Sequence, residues 1–262
     1  MTPDELAAAG LRLDVDGAVA TVTLDRPAVR NAQTPAMWRA LAAIGASLGE
    51  DVRVVVVHGA GPGFSAGLDR SMLSPGGGPD GAETVADLLA MSDEQMSATI
   101  DDYQRGFTWL RDPRFVSIAA VHGHAVGAGF QLALSCDLRV VADDASFCMK
   151  ESALGLVPDL TGTKPLVEAV GYARALEICA TARTVSADEA VRIGLALTAV
   201  PLEELQSTVD HLVSALTAPP AGAVRETKAL LQNAAASSLD EQRRLEREAQ
   251  GRRFREVAGP SS

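Results

Sequence analysis

Two glycine-rich segments, each of which follows an apolar stretch, are the parts of the sequence best suited to chemistry. The first is GAGPGFSAGLD at residues 59–69, and the second is IAAVHGHAVGAGFQLALSCD at residues 118–137. In the second segment, a strand leads through Gly123 and Gly127 into a helix that begins near Ala128. The free backbone N–H groups at such a helix start, together with the helix dipole, can hold a developing negative charge.

Each of the two segments could direct one backbone N–H group at the same oxygen atom, and such a pair of donors is an oxyanion hole. The simpler alternative is that each segment is a tight connection within an ordinary α/β domain. Residues alone leave both interpretations open, because the distance between the segments depends on how the strands before them are arranged.

A different chemistry is suggested by GFSAG at residues 63–67, which matches the G-x-S-x-G nucleophile elbow of hydrolases with Ser65 as the nucleophile. That elbow requires a strand that runs directly into the serine, whereas here the strand ends at His58 and four residues intervene. The histidines that could then act as the base are His122, His124 and His211. None of them lies in a convincing loop after a strand, so a hydrolase is disfavoured.

Composition argues against several classes of function. The formal net charge is −11 and the isoelectric point is about 4.8, whereas a nucleic-acid binder needs a basic face. The three cysteines have no disulfide or metal-site spacing, and His122 and His124 would point to opposite faces of a strand. No apolar run approaches the ~20 residues of a membrane span, and residues 1–10 do not resemble a signal peptide. We therefore expect a cytoplasmic protein with no metal, no nucleic-acid partner and no membrane partner.

The elements predicted before residue 200 alternate between strands and helices, which indicates an α/β fold with a largely parallel sheet. Alternating apolar residues on both sides of Asp16 and Gly17 predict a β-hairpin over residues 11–24. Further strands are predicted at residues 52–59, 115–121, 138–142, 146–149 and 198–200. Helices are predicted at residues 35–49, 92–111, 128–135, 164–170, 174–182 and 187–193. Thr34 is expected to cap the first of these helices, and Ser186 with Glu189 to form a capping box on the last.

Only helices are predicted from Pro201 onward, at residues 202–216, at residues 223–236 and after a cap at Ser238. The chain is therefore expected to consist of a core at residues 1–200 and a helical C-terminal region at residues 201–262. A mobile loop is expected at about residues 71–83, where glycine and proline are frequent.

Several motifs in constant order resemble the enoyl-CoA hydratase/isomerase (crotonase) superfamily over residues 10–235. They are LDRPAVRNA, FSAGLD, GHAVGAGFQLALSCDLRV, ESALGLVPDLTGT and SADEAVRIGLA. The resemblance implies a crotonase-like spiral of β-β-α turns with a helical C-terminal region that serves in trimerisation. It also implies an acyl-CoA thioester substrate in fatty acid metabolism, with CoA as part of the substrate and no separate cofactor. The assembly would be a homotrimer or a dimer of trimers.

The same resemblance assigns the contacts with the ligand. The thioester carbonyl would lie between the N–H groups of Ala66 and Ala128, the two oxyanion-hole positions. Arg26 and Arg30 are candidates for binding the CoA phosphates, the alternative being that they are solvated loop arginines. The remaining expected CoA contacts are Ser65, Gly67, Leu68 and Asp69.

The acid–base groups follow from the two glutamate positions of the superfamily's hydratases, which are Gln131 and Glu151 in this sequence. Glutamine does not ionise, so the sequence disfavours hydration and Gln131 is expected to orient the substrate. One glutamate can still move a proton between two carbons, as in the superfamily's enoyl-CoA isomerases. Glu151 is then the base, unless it is a loop carboxylate that pairs with Lys150 or Lys164.

Asp159 lies where the superfamily's dienoyl-CoA isomerases place an aspartate in a similar loop. It is either a second catalytic acid or a cap of the helix that follows. The sequence therefore predicts an enzyme of the enoyl-CoA hydratase/isomerase family, a lyase or an isomerase, with double-bond isomerisation favoured. The alternatives are an enoyl-CoA hydratase that acts despite Gln131 and a non-catalytic acyl-CoA binder.

The C-terminal end carries one more expectation from the resemblance. Superfamily members usually continue past the phenylalanine matched by Phe254 into a helix that covers a neighbour's CoA site. We therefore expect weaker cover of the CoA in this protein.

Overall fold

The computed structural model describes residues 1–73 and 83–258, which fold as strands enclosed by helices. The strands are β1 Leu11–Asp16, β2 Val19–Leu24, β3 Val54–Gly59, β4 Val116–Val121, β5 His124–Val126, β6 Leu138–Ala142, β7 Ser146–Cys148, β8 Thr184–Ser186 and β9 Thr198–Val200. The helices are α1 Pro3–Ala8, α2 Pro35–Ser47, α3 Val85–Leu89, α4 Asp93–Thr108, α5 Ala128–Ser135, α6 Thr163–Val170, α7 Tyr172–Thr181, α8 Ala187–Arg192, α9 Leu205–Thr217, α10 Ala221–Ala234 and α11 Leu239–Ala258.

The main sheet has six strands in the order β1-β2-β3-β4-β6-β9. β1 and β2 form the expected antiparallel hairpin, and the other neighbours are parallel, which confirms the largely parallel sheet. Both faces of this sheet are covered. Val55 and Val57 of β3 belong to a core that includes α2 and α4, whereas Val54 and Val56 pack in a second core with α9. Burial on both faces explains the continuous apolar runs in the sequence.

A second, smaller sheet has the order β5-β7-β8 and lies beside the end of β4. β5 begins three residues after β4 ends, so β4, β5 and α5 form a β-β-α unit. β6, β7 and α6 repeat that order of elements. The sequence did not predict β5, which lies within the glycine-rich segment at residues 118–137, or β8, in which only Val185 is apolar.

Helix starts follow the predicted capping chemistry in most places. Thr34 Oγ1 accepts a hydrogen bond from Met37 N at 3.3 Å, with Pro35 as the first residue of α2. Ser186 caps α8 through Glu189 N at 3.3 Å, but the predicted capping box is wrong in its second half. The carboxylate of Glu189 instead forms paired hydrogen bonds with Arg183, at 2.7 and 2.8 Å. A bidentate arginine–carboxylate contact is the stronger of the two alternatives.

The predicted mobile loop at residues 71–83 lies mostly at residues 74–82, outside the described part of the chain. Its first residues are not irregular, because Arg70–Leu73 form a 3₁₀ turn. Its last residue, Glu83, is held by paired hydrogen bonds from Arg39 at 2.6 and 3.2 Å.

The C-terminal helices are joined to the core by a buried ion pair. Lys228 of α10 is 8% exposed, and its Nζ lies 2.7 Å from Asp137 Oδ2 and from the carbonyl oxygens of Asp112 and Phe115. Asp137 follows the C-terminal end of α5 and also accepts a hydrogen bond from the backbone N–H of Ser117 at 2.8 Å. α10 is therefore anchored at the end of α5 and at the segment that leads into β4.

Candidate active site

The two glycine-rich segments of the sequence lie in contact, as an oxyanion hole requires. Ser65 N donates to His124 O at 2.8 Å, and Val126 N donates to Ser65 O at 3.0 Å. A Cβ atom on Gly67, whose φ is +85°, would lie 2.4 Å from Val126 O and 3.4 Å from Ala128 N. Only glycine fits at this crossing, because an added side chain would collide with the backbone of the second segment.

From Phe64 to Asp69, every backbone N–H group except that of Leu68 has an acceptor among the described residues. Ala66 N donates to Arg30 O at 2.8 Å, and Asp69 N donates to Gln33 O at 2.8 Å. Gly67 N donates to Ser65 Oγ at 3.2 Å. Within residues 1–73 and 83–258, Leu68 N has no acceptor. The expected donor Ala66 is therefore corrected: its hydrogen is already bonded, and the free N–H of this turn belongs to Leu68.

The second donor lies at the start of α5. Ala128 is the first residue of this helix, after Gly127 at φ +51°, and it is buried. The N–H groups of a first helical turn have no partner inside the helix, and the helix dipole makes this end positive. Among the described residues, Leu68 and Ala128 therefore have free N–H groups in two segments that cross at Gly67.

Ser65 is not placed as a nucleophile. Its side chain is 1% exposed, and its Oγ donates to Asn31 O at 2.7 Å. The same Oγ accepts from Gln33 Nε2 at 3.1 Å and from Gly67 N. A hydroxyl whose hydrogen and lone pairs are all used cannot attack a substrate or contact CoA without breaking these bonds. Its position supports the turn that presents Leu68.

Replacing Ser65 with alanine is expected to affect stability and not to remove a nucleophile. The loss of three buried hydrogen bonds should cost about 1–3 kcal/mol, or about 2–12 °C in melting temperature. Release of free CoA from an acyl-CoA should be the same in both proteins. The control is Ser97→Ala on the exposed side of α4. Wild-type thioester hydrolysis that disappears in Ser65→Ala would support the hydrolase instead.

Of the two arginines expected at the CoA phosphates, Arg26 is held by contacts within the protein. Arg26 Nη1 pairs with Asp69 Oδ2 at 2.9 Å and donates to Ala32 O at 2.5 Å. Burial alone would raise the pKa of Asp69, but hydrogen bonds from Ser71 and Arg26 lower it below its usual value. Both side chains therefore form an internal ion pair, which stabilises the segment around residue 69.

Arg30 is exposed and borders a cavity of about 240 Å³. The other lining residues are Pro62, Gly63, Ala66 and His124.

The two histidines His122 and His124 have separate partners. His124 Nδ1 lies 2.8 Å from Ser146 Oγ, and His122 Nε2 lies 2.8 Å from Gly61 O. No group of three or more potential metal ligands occurs in the described ranges. Those ranges also contain no helix that is both long and apolar enough to cross a membrane.

Glu151 is held on one side by Gln131 and is free on the other. Gln131 Nε2 donates to Glu151 Oε1 at 2.8 Å, while Oε2 of Glu151 is buried without a hydrogen-bond partner among the described residues. Burial raises the pKa of Glu151 above its usual value, with a further contribution from Asp159, and the bond from Gln131 only partly offsets this. A buried carboxylate with one unused oxygen and a raised pKa has the properties of a general base.

The alternative ion pairs of Glu151 are not formed. Lys164 lies 2.7 Å from Glu168, and no lysine in the described part of the chain pairs with Glu151. Glu151 also lies close to the start of α5: a Cβ atom on Gly127 would be 3.3 Å from Glu151 Oε1. The start of α5 therefore faces the carboxylate.

Asp159 is near Glu151 and does not cap a helix. The N-cap of α6 is Gly162, which has no side-chain cap, so the predicted capping role of Asp159 is wrong. Its carbonyl oxygen accepts a hydrogen bond from Gln104 Nε2 at 2.6 Å. The residue is exposed as a whole, but burial of the carboxyl group by the surrounding loop raises its pKa above the usual value.

Comparisons with known proteins agree with this geometry. The sequence profile of the family described as enoyl-CoA hydratase/isomerase matches residues 14–258. A probable enoyl-CoA hydratase of Mycobacterium bovis is 31% identical over 86% of this chain and 82% of its own length. The peroxisomal Δ(3,5)-Δ(2,4)-dienoyl-CoA isomerase of Arabidopsis thaliana is 32% identical over 84% of this chain and 80% of its own length.

Among solved structures, a putative enoyl-CoA hydratase from Thermobifida fusca in complex with CoA is 53% identical to this chain. It superposes with a TM-score of 0.94 over 98% of both chains. A second structure from this organism, in complex with acetoacetyl-CoA, is 55% identical over 97% of this chain and 98% of its own, with a TM-score of 0.93. The expected crotonase-like fold with a helical C-terminal region is thereby confirmed. The chain belongs to the enoyl-CoA hydratase/isomerase family.

Proposed function

We propose that this protein isomerises the double bond of an enoyl-CoA thioester, with Glu151 as the single acid–base group. The observation that carries the proposal is that Oε2 of Glu151 is buried beside the start of α5 without a hydrogen-bond partner in the described part of the chain. An isomerase needs one base that can take up a proton and give it back. The raised pKa of Glu151 suits both steps, because the group is then closer to the pH at which it works.

The chemistry follows from the positions of these groups. Oε2 of Glu151 removes a proton from C2 of a 3-enoyl thioester, and the electrons of that C–H bond move to the thioester oxygen. The N–H groups of Leu68 and Ala128 would hold the resulting oxyanion of the dienolate. The protonated Glu151 then returns the proton to C4, and the double bond forms between C2 and C3.

The surroundings of Gln131 favour isomerisation over hydration. Hydration uses one group that takes a proton from water and a second that delivers a proton to the neighbouring carbon. Gln131 does not ionise, and its Oε1 already accepts from the backbone N–H groups of Leu160 and Gly162. Its Nε2 already donates to Glu151. Gln131 has no acceptor left for a water molecule. Its interactions support a role in positioning Glu151, and not the expected contact with the substrate.

A second candidate is the isomerisation of a 3,5-dienoyl-CoA to a 2,4-dienoyl-CoA. Its support is the carboxyl group of Asp159, which is close enough to raise the pKa of Glu151, and the relative of that activity in Arabidopsis. Two carboxyl groups with raised pKa values could exchange a proton at two more distant carbons. Hydration and non-catalytic binding of an acyl-CoA remain the outcomes that the assay below separates.

The CoA part of the ligand is proposed to extend past Arg30. This arginine borders the 240 Å³ cavity next to the first glycine-rich segment, and the T. fusca neighbours are bound to CoA and acetoacetyl-CoA. The segment Ser65–Asp69 is then the floor of the CoA site through its backbone, with Gly67 and Leu68 nearest the thioester. Arg26 contributes by fixing Asp69.

A homotrimer is proposed for the assembly, with residues 201–262 as the region that takes part in it. The last two helices leave large apolar side chains exposed, as is typical of a surface that contacts another subunit. These side chains are Leu231, Leu239, Phe254 and Val257. The helical region is not independent of the core, because α9 packs against the main sheet.

The proposal is tested by a single-turnover assay of the purified protein with 3-enoyl-CoA, 2-enoyl-CoA and 3,5-dienoyl-CoA offered separately. Conversion of the 3-enoyl to the 2-enoyl thioester without a change of mass is the expected result. Gain of one water by the 2-enoyl thioester as the main reaction would establish a hydratase and overturn the proposal. Binding of every thioester without turnover would indicate a non-catalytic binder.

A further inference from the structure

The side-chain amide of Gln131 has a single allowed orientation. The residue is 1% exposed on α5, and its Oε1 accepts hydrogen bonds from Leu160 N at 2.9 Å and Gly162 N at 3.2 Å. If the amide were turned over, its NH₂ group would face these two backbone donors, which is unfavourable. The atom that faces Glu151 is therefore Nε2, a donor.

This orientation decides where a proton can reside on Glu151. Oε1 of Glu151 accepts the hydrogen bond from Gln131 at 2.8 Å, so Oε1 cannot carry a proton directed at the same contact. A proton taken up by the carboxylate is then favoured on Oε2, the oxygen that has no hydrogen-bond partner among residues 1–73 and 83–258. The two oxygens of one carboxyl group are in this way given different tasks.

We propose that Gln131 is a positioning residue that makes Oε2 of Glu151 the only oxygen to take and return the substrate proton. The inference rests on the proposed isomerase function and extends it to the residue that replaces the second glutamate. C2 and C4 of the acyl chain are two bonds apart, so one fixed oxygen can serve both. Gln131 also fixes the loop that carries Asp159, through its bonds with Leu160 N and Gly162 N. It thereby sets the positions of the Glu151 and Asp159 carboxyl groups relative to α5.

The groups around Glu151 define what a change at Gln131 does to its titration. Asp159 faces it from the following loop, and Cys148 and Cys179 face it from the end of β7 and from α7, with Lys150 adjacent in the chain. The hydrogen bond from Gln131 favours the charged form of Glu151. Removal of this hydrogen bond should therefore raise the pKa of Glu151 further.

The first test variant is Gln131→Met, which has a similar volume and cannot form hydrogen bonds. For 3-enoyl-CoA isomerisation we expect kcat to fall about 10–100-fold with KM changed less than about threefold. The acid limb of the pH profile of kcat/KM should move to higher pH, because the base now binds its proton more tightly. A role in folding alone would lower the yield of active protein and leave this limb in place.

The second variant, Gln131→Glu, provides a conservative rescue that depends on pH. A protonated Glu at position 131 can donate to Oε1 of Glu151 as the amide does, so activity should return where the pair holds one proton. It should be lost again at higher pH, where both groups are charged and repel. The matched control is Gln104→Met, which removes the contact with Asp159 O but none with Glu151, so its acid limb should keep the wild-type position.

Failure of the proposed function is separated from failure of this inference by NMR of the ligand-free protein with ¹³C-labelled glutamate carboxyl groups. The Glu151 resonance, assigned with Glu151→Gln, should titrate at higher pH in Gln131→Met than in the wild type. If the wild type has no isomerase activity but this shift occurs, the proposed function is wrong and the control of Glu151 by Gln131 holds. An unchanged titration, or an unchanged acid limb in an active Gln131→Met, overturns the inference.

Discussion

Replacing Glu151 with glutamine is expected to lower kcat for 3-enoyl-CoA isomerisation by about 10²–10⁴-fold, the usual contribution of a general base. Binding of the thioester should persist, because the N–H groups of Leu68 and Ala128 and the cavity beside Arg30 are not altered. Single-turnover kinetics give the rate, and calorimetric titration with a saturated acyl-CoA gives the affinity. Glu246→Gln, an exposed position on α11, is the control for the loss of one negative charge.

The same substitution should stabilise the protein at neutral pH. The folded-state pKa of Glu151 is raised above its unfolded value, so the folded protein holds the proton more tightly. This contribution to stability is present at low pH and is lost as the pH rises through the folded-state pKa. Glutamine stays neutral, so Glu151→Gln should melt about 2–4 °C higher than the wild type above that pKa, for a gain of about 1 kcal/mol. The gain should vanish below about pH 4.

Two outcomes would count against Glu151 as the base. An unchanged kcat would exclude it from the proton transfer, and a melting temperature that falls at all pH values would mean that its carboxylate stabilises the fold. A gain in stability together with a loss of activity is the pattern of a site in which function opposes stability.

Replacing Lys228 with methionine is expected to be the most destabilising of the changes considered. The carboxylate of Asp137 would remain buried without its cation, and breaking a buried ion pair in this way costs about 3–5 kcal/mol. For a chain of this size the melting temperature should fall by about 6–20 °C. Methionine keeps the apolar stem of the lysine, so the effect reports the charge and its hydrogen bonds more than the packing.

The control is Lys164→Met, which removes a lysine from an ion pair with Glu168 on the surface. An exposed pair of this kind contributes about 0–1 kcal/mol, so the melting temperature should change by less than about 4 °C. The double variant Lys228→Met/Asp137→Asn should recover part of the loss, because it removes the unpaired charge. Equal effects of Lys228→Met and Lys164→Met would show that the buried pair does not anchor α10.

Elements with strong local patterns were predicted from the sequence with correct bounds. The helix at residues 128–135 and the strand at residues 138–142 occur as expected, because glycine turns and apolar runs mark their ends. The proposed second oxyanion donor, Ala128, follows from such a helix start. In the same way, the sequence motif identified Glu151 as the candidate base, although its geometry came only from the structure.

The proposed first donor, Leu68, could not be predicted, because its free N–H group depends on contacts between distant parts of the chain. Ala66 N is bonded to Arg30 O, 36 positions earlier in the sequence, and this contact leaves Leu68 as the free donor. Gln131 and Glu151 are 20 residues apart, and their hydrogen bond is not visible in either local motif. The signal that could have indicated Leu68 is Gly67, since a glycine at positive φ reverses the direction of the N–H group that follows.

The anchor formed by Lys228 also has a consequence for how the protein is made. Asp137 and Lys228 are 91 residues apart, and a ribosome that adds ~5–20 residues per second needs about 5–18 s to make the residues between them. During this interval the nascent chain already contains β4 and α5, but the carboxylate that follows α5 lacks its cation. Chaperones that bind incompletely packed chains therefore have a defined period in which to act. Synonymous codons that slow or speed translation of residues 138–228 should change the yield of folded enzyme without changing the protein itself.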